Sequence, residues 1–347
     1  MVSVDLRRDR IVVRWKDRKS EWIIEPRHWR NPFLGIAFLA ILPLFVHSYP
    51  HILAMFTTAN LYAAIAIPLS LQILGTARVN FGPQLYLGIG GYTAALLNLH
   101  FGCGPAITLI ATIAVCAGLS LLISPITWIA KGLYFSLITL ILPLTFLDVT
   151  FIWGDIFRGE VGLSGMSPLL SFDKVTWNYL AYFYLSLALM LVYLLISERI
   201  VRSRFGVNLA AINENEDVAR MMGVNVDLYK VLYYVLPSIL TGIVAWFIVH
   251  TFRTFGGVTY LPLEFMTKIL IIVIVGGRAF LYGAIPGAYL ISAVEDSLRG
   301  LGPINYFLFP VVLITLIVFL PRGEGLCGLF HKRHPRDYFP TLHVRRD

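Results

Sequence analysis

The feature that most constrains this chain is a series of long stretches without Asp, Glu, Lys or Arg. One runs from Val79 to Ala130, and others occupy residues 51–77, 175–197, 231–252 and 303–321. A helix needs about 20 mostly apolar residues to cross the hydrocarbon core of a bilayer, and each stretch has about that length. A single soluble core cannot enclose so many apolar segments. The chain is therefore predicted to be an all-α integral membrane protein.

Composition agrees with a lipid environment. Of the 347 residues, 57% are hydrophobic and 14% are charged, whereas soluble domains carry about 25% charged residues. The first thirty residues are basic and lack an apolar region followed by a small-residue cleavage site, so no cleavable signal peptide is expected. The net charge of +8 does not indicate nucleic acid binding, because the basic residues concentrate in the tails and short loops.

Cysteine and histidine residues indicate neither a disulfide framework nor a metal site. Cys103, Cys116 and Cys327 are few and scattered. His331 and His334 form a single pair without a second pair of ligands. No cofactor or metal is therefore expected on this chain.

Apolar runs between Gly, Pro and charged residues predict about ten transmembrane helices. They are placed at residues 33–49, 51–74, 84–100, 105–130, 132–153, 177–197, 229–251, 264–280, 283–298 and 303–320. A basic, Trp-containing tail precedes them at 1–32, and a second basic tail follows at 321–347.

The basic residues predict the orientation. With both termini in the cytoplasm, the tails, the segment 198–230 and the loops around Arg78, Lys131 and Arg278 contain 23 of the 28 Lys and Arg residues. Basic residues accumulate in cytoplasmic loops, so this orientation is predicted.

The N-terminal tail carries Trp15, Trp22 and Trp29, spaced seven residues apart among basic residues. This spacing suits an amphipathic segment on anionic headgroups, although Pro26 would interrupt a continuous helix. A charged tail with aromatic anchors and no separate role is the alternative.

Glycine clusters mark several predicted helix ends and are typical of close helix packing or broken helices. The candidate packing glycines are Gly82, Gly88, Gly90, Gly91, Gly256, Gly257, Gly276 and Gly277. The clusters near 82 and 256 each precede an apolar run, from opposite sides of the membrane. That arrangement suggests an inverted repeat relating helices 2–5 to helices 7–10.

Residues 198–230 form a long polar insertion between two predicted helices on the cytoplasmic side. The pattern from Leu209 to Met222 predicts a helix that ends at Gly223, with Leu209, Ile212 and Met222 available for apolar contacts. The insertion is either a docking element for a partner or an ordinary solvated loop helix.

The same insertion resembles the cytoplasmic coupling segment of permease subunits from bacterial branched-chain amino acid ABC importers, specifically the longer of the two paired permeases. The similarity lies in Ser-Arg-Phe-Gly at 203–206, Ala-Ile-Asn-Glu-Asn-Glu at 211–216 and Met-Gly-Val-Asn at 222–225. Further matches occur in the family's order at 88–95, 131–135, 139–140, 162–165 and 276–288, so the resemblance covers about 70–320. The chain departs from the family pattern at Pro83–Gln84 and at Arg278–Phe280.

This resemblance implies a multi-pass protein of the bacterial inner membrane, with a permease domain at 33–320. It implies a second related permease, two cytoplasmic ATPase subunits that hold ATP and Mg, and an extracytoplasmic solute-binding protein as partners. The residues implied to couple to the ATPase are Ala211, Ile212, Asn213, Glu214, Asn215, Glu216, Met222 and Gly223. Branched-chain or other hydrophobic amino acids are the leading solute, and urea and short amides are close alternatives.

Four residues are candidates for the solute pathway: Gln84, Tyr92, Glu264 and Lys268. A lysine at the centre of an isolated membrane helix costs about 2.5–3.5 kcal/mol, so Lys268 should face a cavity, snorkel to the interface or pair with an acid. Glu264 lies four residues earlier, a spacing that allows an ion pair on one face of the helix. The pair either neutralises itself near the outer interface or contacts a zwitterionic solute. Asp148, Glu295 and Asp296 are interpreted as residues at the outer rim.

Two other functional classes are less compatible with the residues. A stand-alone secondary transporter or channel needs its own ion site, and only Glu264 with Lys268 approaches one. A membrane enzyme needs clustered acidic or His residues, whereas Asp155, Glu160 and Asp173 are dispersed. The dipeptide Gly-Lys does not occur in the chain, so a P-loop lysine is missing. ATP hydrolysis is therefore expected on a separate subunit.

Overall fold

The computed structural model describes residues 2–7, 10–15, 21–24, 35, 39–43, 45–46, 49–76, 80–130, 132–277, 280–319 and 325–330. The chain divides into two compact units, residues 1–53 and residues 54–347. Arg78, Lys131, Arg278, Trp29, His331 and His334, which entered the predictions above, lie outside the described residues.

The first unit contains an antiparallel sheet with the strand order β1 (Val2–Arg7), β2 (Arg10–Trp15), β3 (Glu21–Ile24). Val2 pairs with Trp15, and Val13 pairs with Trp22. This sheet corrects the all-α prediction for the N-terminal tail. The even spacing of apolar residues in Val2–Arg7 is the period of a strand, a signal that the seven-residue spacing of the tryptophans obscured. Residues 39–43 and 45–46, inside the first predicted helix, are helical.

The remaining described elements are almost all helices. In chain order they are α1 (Pro50–Thr76), α2 (Pro83–Phe101), α3 (Pro105–Ile123), α4 (Ile126–Ile129), α5 (Leu133–Ile152), α6 (Gly154–Phe157), α7 (Val175–Val201), α8 (Arg204–Glu214), α9 (Glu216–Met221), α10 (Val226–Phe252), α11 (Gly257–Tyr260), α12 (Leu263–Gly276), α13 (Ala284–Arg299), α14 (Asn305–Phe319) and α15 (Gly325–Phe330). Single 3₁₀ turns occupy Leu281–Gly283 and Gly302–Ile304. A two-residue ladder joins β4 (Leu163–Ser164) to β5 (Thr254–Phe255).

Among the described residues, six helical segments are long and apolar enough to cross a membrane. They are Pro50–Leu74, Pro105–Ile129, Leu133–Ile152, Val175–Val201, Val226–Phe252 and Gly257–Gly276. The chain is therefore a multi-pass membrane protein. Helix α13 has 16 residues and is shorter than a typical span. The total of ten helices, the side on which the termini lie and the inverted repeat stay predictions.

The centre of the bundle is helix α10, which packs against α2 and α3. A methyl group added to Gly90 would lie 2.9 Å from the Cα of Gly242, so these two glycines allow α2 and α10 to touch through their backbones. The Tyr193 hydroxyl on α7 donates to the Leu240 carbonyl oxygen at 2.6 Å. Close backbone approach and interhelical hydrogen bonds thus hold this part of the bundle together.

A buried polar network joins three helices in the interior. The Asn60 amide on α1 donates to Ser186 Oγ on α7 at 3.1 Å, and the Tyr289 hydroxyl on α13 donates to Asn60 Oδ1 at 2.6 Å. Asn60 is fully buried. Because no water is available within lipid, such hydrogen bonds favour one arrangement of the helices over others.

Candidate functional site

One end of the bundle contains a cavity of about 490 Å³ between α1, α10, α12, α13 and the connections near β4 and β5. Its size falls in the range of small-molecule sites, about 300–1,000 Å³. The lining includes the charged residues Glu160, Lys268, Glu295 and Arg299, and the tyrosines Tyr62 and Tyr260. Charges of both signs therefore share one cavity with aromatic walls.

The central contact of this cavity is an ion pair. Lys268 Nζ on α12 lies 2.8 Å from Glu295 Oε1 on α13, and the two side chains are 16% and 25% exposed. The same Nζ lies 5.4 Å from the centre of the Tyr62 ring, a favourable position for a cation. Removing one member of a desolvated pair leaves an uncompensated charge, so the two side chains stabilise each other.

Sequence reasoning assigned Lys268 the wrong partner. Glu264 is exposed, and the predicted Glu264–Lys268 ion pair does not form, because the lysine turns toward α13. The acid that pairs with Lys268 is Glu295, which its place near a predicted helix end had indicated to be a rim residue. Lys268 lies thirteen residues before Leu281 and Glu295 thirteen residues after Tyr282. A hairpin that turns at 281–282 brings these positions together, because both are equally far from the turn. This equal spacing was the feature of the sequence that could have predicted the pair.

The wall near the ladder is built by close backbone contact. Leu163 pairs with Phe255, and Ser164 pairs with Thr254. Gly162 has a φ of +70°, and a methyl group there would lie 2.8 Å from the Cα of Gly256, so neither the angle nor the space suits a larger residue. This contact positions the Ser164 and Thr254 hydroxyls among the residues that line the cavity.

Two predicted pathway residues lie behind that wall. Tyr92 is buried, and its hydroxyl oxygen accepts from the Gly257 amide at 2.7 Å. Gln84 is buried, and its amide donates to the Pro262 carbonyl oxygen at 2.6 Å. Neither is among the described residues that line the cavity. Tyr92 thus holds the start of α11, and Gln84 holds the start of α12.

The predicted packing glycines make close contacts in three places: beside this wall, at the opposite end of the bundle and at the turn between α12 and α13. Extra methyl groups would contact Leu261 at Gly88, the Phe255 ring at Gly91 and Tyr92 at Gly257. Gly82 donates its amide to Asn80 Oδ1 at 2.8 Å. Gly276, at the end of α12, approaches Gly283 so closely that a methyl group would overlap the Gly283 carbonyl, and Gly277 has a φ of +113°.

The opposite end of the bundle is closed by polar contacts. Asn80 donates to Gln72 Oε1 at 3.1 Å, Gln72 donates to the Tyr233 carbonyl at 3.0 Å, and the Tyr86 hydroxyl donates to the Tyr234 hydroxyl at 3.0 Å. The space left beside these residues is about 30 Å³, room for one or two water molecules. Among the described residues, this end therefore holds far less space than the cavity at the other end.

The segment 198–230 folds into two short helices instead of the single helix predicted over 209–222. Asn215 is extended, with a φ of −161° and a ψ of 113°, and its side chain accepts from the amides of Asp217 and Val218 at 3.0 and 3.1 Å. Asparagine is a strong N-cap residue, so it ends α8 and begins α9. Gly223 has a φ of +84° and follows α9, as expected of a C-terminal stop.

This segment has one face held against the protein and one face exposed. Leu209, Ile212 and Ala219 are buried. Glu216 Oε2 lies 2.6 Å from Lys230 Nζ at the start of α10, and the lysine side chain is 6% exposed. The other predicted coupling residues Ala211, Asn213, Glu214, Asn215 and Met222 are exposed.

An apolar patch lies on the exposed face. Met221 and Met222 are 86% and 80% exposed, and Val218 is also exposed. Met222 is therefore not packed in the interior, and the apolar contact predicted for it stays a prediction about a partner. Exposed apolar residues beside acidic ones suit a protein partner, because flexible methionines adapt to many surfaces.

Comparison with known proteins agrees with this architecture. Residues 51–320 match the family model for the permease component of the branched-chain amino acid transport system. A relative from Methanocaldococcus jannaschii, the probable branched-chain amino acid transport permease protein LivH, is 26% identical over 314 residues, which cover 80% of this chain and 92% of the relative. No solved structure matches the chain.

Proposed function

Because this chain belongs to the family of branched-chain amino acid transport permease components, we propose that it is the transmembrane permease subunit of an ATP-driven importer. The proposed solute is a branched-chain or other hydrophobic amino acid. The name of the Methanocaldococcus jannaschii relative supports this solute class. The proposal assigns the chain to a bacterial cytoplasmic membrane, with both termini inside and the permease domain at 33–320.

The observation that carries this proposal is the partly buried Lys268–Glu295 pair in a cavity with aromatic walls. A zwitterionic amino acid has one carboxylate and one ammonium group. These two groups can replace the partners of Lys268 and Glu295, so that each buried charge stays compensated while the pair opens. Tyr62, Tyr260 and Phe265 then offer apolar surface to the solute side chain.

Neutral solutes provide a weaker match to this cavity. Urea and short amides offer no charges to exchange with Lys268 and Glu295, so the ion pair would stay intact when they bind.

A stand-alone transporter or channel would act without ATPase subunits. Both alternatives are distinguished by the transport experiment below.

The proposed energy source is a pair of separate ATPase subunits that bind ATP and Mg and contact the exposed face of the segment 198–230. The patch of Val218, Met221 and Met222, together with the exposed Glu214, offers both apolar and acidic contacts. A second, related permease and an extracytoplasmic solute-binding protein complete the proposed assembly.

Transport by the purified assembly tests this function. We expect proteoliposomes containing the chain with its co-purified partners to accumulate radiolabelled leucine only when ATP is enclosed on the ATPase side. Urea added in excess should not compete. Leucine uptake by the chain alone, or ATP-dependent uptake of urea in its place, would contradict the proposal.

The proposed orientation predicts the labelling of cysteines. In intact cells a membrane-impermeant maleimide is expected to react with Cys103, in the connection between α2 and α3, and not with the fully buried Cys116. With Cys103 replaced by Ser, Asn213→Cys is expected to react only after the membrane is opened. Labelling of Asn213→Cys in intact cells would contradict this orientation.

Burial raises the pKa of Cys327 to about 11, so its thiol is protonated at neutral pH. Once the membrane is opened, the labelling of Cys327 is expected to accelerate as the pH rises toward 11.

A further inference from the structure

Glu198 is a buried carboxylate that the proposed solute site does not use. It lies near the end of α7, where the segment 198–230 begins, and its side chain is 9% exposed. Arg202 Nη2 lies 2.6 Å from Glu198 Oε1. The Tyr282 hydroxyl donates to the same oxygen at 2.7 Å. A buried carboxylate is costly unless such partners satisfy it, so its contacts are specific.

Tyr282 lies in the 3₁₀ turn of the hairpin formed by α12 and α13. The turn end of this hairpin is packed backbone to backbone, since a methyl group on Gly276 would overlap the Gly283 carbonyl and one on Gly287 would overlap the Ile272 carbonyl oxygen. Such packing has no flexible side chains that could absorb a displacement. A force applied to the turn therefore moves both helices together.

The same hairpin carries the ion pair of the cavity. Lys268 is on α12 and Glu295 is on α13. Glu295 lies thirteen positions after Tyr282, nearly all of them in α13, which corresponds to about 20 Å at 1.5 Å per residue. The contact between Glu198 and Tyr282 thus joins the beginning of the proposed ATPase-binding segment to the far end of the element that holds the solute charges.

We infer that Glu198 is a positioning residue which, through the Tyr282 hydroxyl, transmits movement of the segment 198–230 to the α12–α13 hairpin and so moves Lys268 and Glu295. This inference rests on the proposed function. Rigid-body movement of packed helices is one of the recognised forms of conformational change. Movement of the α12–α13 hairpin would make the release of solute from the cavity depend on the ATPase side of the protein.

The test is Tyr282→Phe in the complete assembly in proteoliposomes, with leucine as the probe. The variant removes one oxygen and keeps the ring and the Glu198–Arg202 pair. Leucine taken up per ATP hydrolysed is expected to fall at least about fivefold, the effect of losing one hydrogen bond to a charged group. The leucine dissociation constant without ATP is expected to stay within about twofold, because the cavity itself is unaltered. Tyr134→Phe, at an exposed tyrosine of α5, is the matched control.

Substitutions of Glu198 separate hydrogen bonding from general stability. Glu198→Gln keeps an oxygen that can accept from Tyr282 and is expected to keep uptake per ATP within about threefold of the unmodified chain. Glu198→Ala loses the acceptor and is expected to resemble Tyr282→Phe. A purely structural role would lower the yield of folded protein and leave uptake per ATP unchanged.

The outcomes distinguish this inference from the proposed function. ATP-driven leucine uptake by the unmodified chain, with unchanged uptake per ATP in Tyr282→Phe, overturns the inference and leaves the proposed function intact. An unmodified chain that shows no ATP-driven uptake overturns both. Reduced uptake per ATP in Tyr282→Phe and Glu198→Ala, with Glu198→Gln and Tyr134→Phe near the unmodified value, supports the inference.

Discussion

Lys268→Met is expected to lower leucine uptake at least about a hundredfold, because losing one partner of a desolvated charge pair between the permease and its solute costs about 2–5 kcal/mol and each 1.4 kcal/mol is a factor of ten. The substitution removes the cation that the proposal assigns to the solute carboxylate. It also leaves Glu295, which is 25% exposed, without its partner. The measurement is the initial rate of ATP-driven uptake in proteoliposomes, normalised to the amount of folded permease.

Two variants make this result specific. Glu264→Gln alters an exposed acid one helical turn from Lys268 and is expected to leave uptake unchanged. The double variant Lys268→Met with Glu295→Gln removes both charges, so it should regain thermal stability relative to Lys268→Met while still failing to transport leucine. Uptake restored by the double variant would show that the pair only stabilises the fold.

Gly276→Ala is expected to cost about 3 kcal/mol or more, at the upper end of the range for overpacking, and to abolish the folded permease. The added methyl group would overlap the backbone of Gly283. Because the obstacle is backbone, a change of rotamer cannot relieve it. The loss is measured as the fraction of monodisperse protein in detergent and the midpoint of its thermal unfolding.

Gly118→Ala provides the matched control for this substitution. Gly118 lies within α3, and a methyl group there would meet nothing within 4 Å. Alanine is favoured over glycine inside a helix by about 1 kcal/mol, so this variant is expected to be as stable as the unmodified chain or more so. Equal stability of Gly276→Ala and Gly118→Ala would contradict the close packing at the hairpin turn.

The helices were predictable from the sequence because lipid imposes a simple requirement on the chain. Each predicted segment from 51 to 320 overlaps a described helix, since charge-free runs of this length have few other stable structures in a bilayer. The boundaries were less predictable where one side chain decides them. Asn215 divides the predicted helix 209–222 by capping α9, although its neighbours have helical periodicity.

The candidate site was only partly predictable. Lys268 was identified because a charge within an apolar helix is costly, but its partner depends on how two helices pair. Local spacing favoured Glu264, whereas the hairpin turn at 281–283 brings Glu295 to the lysine. Gln84 stands at a departure from the family pattern and Tyr92 in a segment that matches it, and both lie behind the cavity wall. Which polar residues face a cavity depends on tertiary packing, about which a single sequence carries little information.

The hydrogen bonds among Gln72, Asn80, Tyr86, Tyr233 and Tyr234 have a consequence for the membrane itself. A cytoplasmic membrane maintains an electrical potential, and moving one unit charge across 100 mV changes the free energy by about 2.3 kcal/mol. A continuous aqueous pore through an idle permease would dissipate that voltage. These contacts join α1, α2 and α10 and leave only about 30 Å³ beside them, so among the described residues they oppose the passage of ions while no solute is being transported.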